Sequence, residues 1–269
     1  MRNGTKAILA AFFLFFSLPR GEAHEPLYGF GPHVLFQGGF GPHLTFHQGP
    51  HHIETEYALG YGITKDWTVK AEAPFHIEEG SYEWAGLKLK QKYRIFSSFE
   101  KGSSIQISGL TSIHFPGELK KPTVTNIGLT GGKESLRWYW FFGAVYGVRS
   151  GTVPSGEEDG HHHGSDQVRI APGDHLIYNA TLGYRPIKTG YYKPDIVFFL
   201  EGLGKYQRPS LKNGELLKGS DGHNWSLAPT FMFTYKNIAL RGGVEIGLAN
   251  SGGLNTPETN YKLILEWHL

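Results

Sequence analysis

The stretch LKLKQKYRI, residues 87–95, alternates without a break. Leu87, Leu89, Gln91, Tyr93 and Ile95 fall on one face of an extended chain, and Lys88, Lys90, Lys92 and Arg94 on the other. Successive strand side chains point to opposite faces, so one side is largely apolar and the other carries four cations. Facing lipid near a bilayer midplane, each cation would cost about 2–4 kcal/mol; facing a wet interior, they stay solvated. A soluble sandwich also has one apolar and one polar face, so the rest of the chain has to separate the two.

Working outward, the same period of two recurs from end to end and helical periodicity is nearly absent. Candidate strands lie at 40–47, 53–63, 67–75, 87–95, 105–115, 124–132, 136–148, 176–184, 196–206, 225–235, 238–248 and 261–269. Their off-face positions carry Glu54, Glu56, Lys70, Glu72, Arg137, Arg185, Glu201, Lys205, Arg241, Glu245, Lys262 and Glu266. High glycine (37 residues) and 14% aromatics fit β-structure with many tight bends.

Three features favour a membrane barrel over a soluble periplasmic sandwich. Links of 133–135 and 236–237 alternate with long ones at 149–174, 207–224 and 249–259, with 186–195 intermediate; short periplasmic turns and long outer loops produce that pattern. Trp67, Tyr93, Trp138, Tyr184, Tyr235 and Trp267 gather near the short-turn ends, and Phe75, Phe115, Tyr206, Trp225 and Tyr261 near the long-loop ends, as two aromatic girdles. The last amphipathic strand reaches Leu269 with Trp267 beside it. The expected fold is all-β: a transmembrane antiparallel up-and-down β-barrel of about 12 strands, over residues 40–269, with both termini periplasmic.

The first residues read as an export signal. Arg2 and Lys6 precede the apolar run Ala7–Leu18, and Gly21-Glu22-Ala23 supplies small residues at a cleavage site. The run falls short of the roughly 20 residues of a spanning helix, which argues against a retained anchor. Cleavage after Ala23 would leave residues 24–39 as a periplasmic or lumenal lead-in. There is no cysteine, which excludes a lipoprotein anchor, disulfides and thiolate chemistry.

Three blocks resemble one family: GFGPHVLFQGG (29–39), LGYRPIKTGYYKPDIVFFLEGLGKYQ (182–207) and LAPTFMFTYKNIALRGGVEIGL (227–248). Together they are similar to the outer-membrane proteins grouped under the MetA pathway of phenol degradation. That resemblance implies an outer-membrane barrel of a Gram-negative bacterium, a transporter or channel role and no catalytic residue.

The functional expectation is a channel or facilitator for small solutes, aromatic or anionic compounds among them. Its pore lining would be Lys88, Lys90, Lys92, Arg94, Arg137, Arg185, Glu201, Arg241, Glu245, Glu54, Glu56 and Glu72. Left unpaired, the cations would favour anions; paired with Glu54, Glu56 or Glu72 on neighbouring strands, they would form a structural network. The partners expected are outer-membrane lipid, the outer-membrane assembly machinery and a small solute. Nucleic acid is not expected, because the bases form no patch. Ser112 and His114 share a strand face but lack a third partner, so no enzyme is expected.

No cofactor is expected, with a divalent metal as the alternative. The loop SGTVPSGEEDGHHHGSDQ offers His161, His162 and His163 beside Glu157, Glu158, Asp159 and Asp166. That would make a non-conducting binding protein that captures metal through loop 157–166. A second candidate lies in the near-repeat Phe30-Gly31-Pro32-His33 and Phe40-Gly41-Pro42-His43. If residues 24–37 fold back on the second copy, a three-residue Gln37-Gly38-Gly39 turn puts His33 across from His43, and a two-residue Gly38-Gly39 turn puts them on opposite faces.

Overall fold

The computed structural model describes residues 25–50, 53–78, 81–117, 121–154, 169–187, 189, 193–255 and 258–269. The signal-peptide and His-rich-loop expectations fall outside these residues.

Twelve long strands close into an antiparallel barrel: β1 (Phe40–Gln48), β2 (Ile53–Thr64), β3 (Trp67–Glu78), β4 (Gly86–Glu100), β5 (Ser103–Pro116), β6 (Thr123–Ser135), β7 (Trp138–Ser150), β8 (His175–Tyr184), β9 (Asp195–Gln207), β10 (Gly222–Tyr235), β11 (Ile238–Gly252) and β12 (Asn260–Trp267). Each pairs with its sequence neighbours, and β1 closes the ring by pairing with both β2 and β12. Among the described residues there is no helix.

Burial alternates along the strands with its polarity inverted. On β7, Trp138, Trp140 and Phe142 face outward while Tyr139 and Phe141 are buried. Exposed apolar side chains such as Ile127 (62%) and Leu129 (58%) stand on the outer face, whereas Glu72 (1%) and Glu201 (0%) are enclosed. An apolar exterior around a charged interior suits lipid outside, and closure satisfies the strand backbone without water. Trp138 and Tyr184, on adjacent strands, touch at 4.8 Å in the outward girdle of the short-turn end.

The strands run past their sequence-derived limits because ladder pairing continues beyond the alternating pattern. The β6–β7 link shrinks from 133–135 to 136–137, and this puts Arg137 in an exposed turn instead of on the lumen face. Residues 81–84, unassigned in sequence, extend the sheet by pairing with the end of β3. In the long connections, 153–154, 169–171, 211–212 and 215–216 make a separate four-stranded sheet. Pro42 has no N–H to donate, and the β1–β12 register runs from His43↔Glu266 onward; before the proline, Phe40 and Leu269 exchange backbone hydrogen bonds.

Residues 25–37 do not pair back on β1 as a hairpin. The Gly39 N–H donates to the Phe36 carbonyl with Gly38 at φ 77°, a tight turn that needs glycine at its third position. The segment then enters the barrel past Gly62, where a side chain would run into the Phe36 carbonyl.

Candidate functional site

The site is the lumen, and its principal occupant is the chain's own lead-in. The carboxylate of Glu201, inward on β9, accepts the backbone N–H groups of Leu27 (2.8 Å), Tyr28 (3.0 Å) and Gly29 (2.8 Å). The Thr230 hydroxyl donates to the same carboxylate at 2.8 Å. Further along, Phe30 N–H donates to Asn179, and Thr130 and Ser108 hydroxyls donate to the carbonyls of Phe30 and Pro32. Leu35 N–H donates to Thr68. A segment without regular structure thus finds partners for its buried amides on β3, β5, β6, β8 and β9.

Charged contacts hold the same segment. Lys92 donates to Glu25 at 2.5 Å and to the Gly31 carbonyl at 2.7 Å. Arg241 donates to the Pro26 carbonyl at 2.9 Å and to Glu266 at 2.7 Å. Burial works to raise the Glu25 carboxyl, but the charges of Lys92, His33 and Arg241 outweigh it and bring it to about 2. His33 lies 3.2 Å from Glu134 and edge-on to Phe141, ring centroids 5.8 Å apart. Burial disfavours its charged form, yet the carboxylates of Glu134 and Glu25 prevail and raise its pKa.

The cationic ladder of β4 is paired along its length. Lys88 meets Glu56 at 2.8 Å and Glu54 at 3.6 Å; Lys90 meets Glu72 at 2.6 Å; Arg94 meets Asp66 at 2.9 Å. Lys70 also reaches Glu72, at 3.5 Å. Elsewhere, Arg185 pairs with Asp195 at 2.8 Å and sits over the Tyr139 ring, and Glu245 accepts from Ser226. Of the twelve lumen positions read from sequence, Lys88, Lys90, Lys92, Arg241, Glu56 and Glu72 line one cavity, and Arg137 is exposed in a turn.

His33 and His43 are not brought together. His33 goes to Glu134 on β6, and His43 stands 4.0 Å from Glu56 on β2. His43, Glu56 and Glu72 do hold ligand atoms within 4.8 Å of one another, a donor set that suits zinc. Lys88, Lys90 and Lys70 already occupy those carboxylates, so a cation would have to displace ammonium groups, and the cluster is an ion-pair network. Ser112 and His114 turn to other partners, Asn126 and the Ala85 carbonyl.

Two features of the lumen escaped the sequence reading. One is an apolar cluster of Tyr139, Phe141, Val197, Phe199 and Met232 inside the barrel, which packs against His33. Its signal was present in WYWFFGAVYGV (138–148), where both strand faces are apolar. The other is the set of neutral anchors Asn179, Thr130 and Ser108, whose polar side chains carry no distinctive sequence mark.

Between the lead-in and the wall lies a cavity of about 480 Å³. Six basic residues line it (Lys70, Lys88, Lys90, Lys92, Arg241 and Lys262) with four acidic ones, Glu25, Glu56, Glu72 and Glu266.

Solved structures with this fold include the NanC porin, at TM-score 0.53 and 11% identity over 86% of this chain and 100% of that one. Another is an outer membrane channel from Pseudomonas putida F1, at TM-score 0.58 and 12% identity over 92% of this chain and 99% of that one. No protein-family model and no curated protein matches the sequence.

Proposed function

We propose that the chain is an outer-membrane channel or facilitator for small solutes, with a narrow, mixed-charge and net basic lumen restricted by its own N-terminal segment. The observation that carries this reading is the charged cavity beside that segment, enclosed by a barrel whose outer face is apolar. Such an interior offers a solute polar contacts along a path through lipid, which is what selective pores require. The fold likeness to a porin and an outer membrane channel supports the same class.

In this reading the protein sits in the outer membrane of a Gram-negative bacterium, inserted by the assembly machinery, with the short turns and both chain termini periplasmic. The finer placement with the MetA phenol-degradation group rests on the three sequence blocks. The proposed role is transport, with Ser112 turned to Asn126 and His114 to the Ala85 carbonyl.

Planar-bilayer recording of the refolded protein tests the proposal. Small single-channel currents whose reversal potential favours anions are expected. Absence of current in every salt overturns it.

A further inference from the structure

The two walls of the lumenal cavity differ in chemistry, and strand order sets them opposite each other. Lys262 on β12, Lys70 on β3 and Lys90 on β4 belong to the arc β12–β1–β2–β3–β4, while Leu110, Val124, Val145 and Ile177 belong to β5–β8, where Ser112, His114, Asn126 and His175 stand among them as neutral polar groups. Both sets line the same volume of about 480 Å³, within the range of about 300–1,000 Å³ for small-molecule sites.

Charge on the basic wall is nearly but not fully balanced. Glu72 serves two lysines, Lys70 and Lys90. Lys88 takes two carboxylates, Glu56 and Glu54. Lys92 and Arg241 have one each, Glu25 and Glu266. Lys262 has none among the described residues: its Nζ donates to the Leu27 carbonyl at 3.2 Å and stands 5.5 Å from the centre of the Tyr28 ring. Six bases and four carboxylates line the cavity, and among the described residues Lys262 is the one of the six bases with no carboxylate at salt-bridge distance, the neighbouring Glu201 being taken up by the amides of Leu27, Tyr28 and Gly29. A half-buried cation without a carboxylate is poorly compensated, and an anion delivered from outside relieves that cost.

Resting on the channel reading, we infer that this cavity is a binding site for a small monocarboxylate with an apolar body. The carboxylate meets Lys262, with Lys90 and Lys70 adding to the field, and the apolar body lies against Leu110, Val145 and Ile177. A cation is repelled by the basic arc, and a fully polar anion leaves Leu110, Val145 and Ile177 without an apolar partner.

Calorimetric titration of the full chain in detergent tests the site with four probes: benzoate, cyclohexanecarboxylate, acetate and benzylamine. The two apolar acids bind saturably, acetate at least about tenfold more weakly, and benzylamine not at all. Lys262→Met weakens benzoate binding by about tenfold or more, whereas Lys262→Arg holds it within about threefold. Heat-modifiable electrophoretic mobility reports whether each variant keeps a folded barrel. Should Lys262→Met fail to fold, Val145→Asn on the facing wall is expected to weaken benzoate and leave acetate unchanged. Equal binding of acetate and benzoate, binding of benzylamine, or a folded Lys262→Met or Val145→Asn that titrates like the native chain would each overturn the inference. Binding without conductance removes only the channel reading; conductance without benzoate binding removes only this site.

Discussion

Glu201, fully enclosed on β9, accepts the backbone N–H of Leu27 at 2.8 Å across 174 residues of chain. Tyr28 and Gly29 donate to the same carboxylate, so one side chain clasps three consecutive amides of the lead-in. Hydrogen bonds to a charged group contribute about 1.5–3 kcal/mol each. This clasp ties three consecutive residues of the segment to one point on the wall.

Glu201→Gln keeps the shape but removes the charge and leaves one oxygen as acceptor. Loss of a single such bond shifts docking by about tenfold or more. Single-channel conductance or open probability is expected to rise. Traces identical to native would show that the segment does not limit conduction.

Gly62→Val drives a side chain into the Phe36 carbonyl and is expected to displace the turn at 36–39. The chain has no cysteine, so Phe36→Cys gives a unique label site. Maleimide labelling should be slow in the native background and fast with Gly62→Val. Equal rates would place the turn outside the lumen.

Docking of the lead-in should depend on pH through His33. Its folded pKa is raised above 6.5 by Glu134 and Glu25 against burial. The contribution is therefore full below the unfolded imidazole value and is lost as pH rises through the folded one. Labelling of Phe36→Cys should accelerate on that rise, and Glu134→Gln should flatten the profile. A faster reaction on acidification, after correction for thiol ionisation with a free-cysteine control, would contradict the assignment.

Arg185 and Asp195 form an enclosed pair at 2.8 Å, beneath which Tyr139 and Phe199 pack. Breaking such a pair by removing one partner costs about 3–5 kcal/mol. Arg185→Met should lower the urea midpoint of the barrel markedly, while the double change with Asp195→Leu recovers most of it. Additive losses in the double variant would mean the two residues act independently.

Much of the fold was legible in the residues themselves. The ladder Lys88, Lys90, Lys92 and Arg94 opposite Leu87, Leu89, Tyr93 and Ile95 reports the pleat directly, because strand period and side-chain polarity are both local properties. The strand number, the inward set and the girdles follow from the same two facts. Arg137 was misplaced by the same logic: the alternation continues through it, but a turn at 136–137 takes it out of the sheet.

What the local pattern could not contain is where residues 25–37 go. Their Gly-Pro-rich run carries no period, and its position is decided by donors and acceptors far away in sequence, Glu201, Asn179, Thr130 and Lys92. The sequence by itself determined a lipid-facing barrel with a charged interior, since burial energetics act on each strand separately. Only the tertiary structure decided that this interior is threaded, that Glu56 and Glu72 are already matched to lysines, and that among the described residues Lys262 is the cavity base with no carboxylate at salt-bridge distance, because these depend on closing the ring and bringing β12 beside β1.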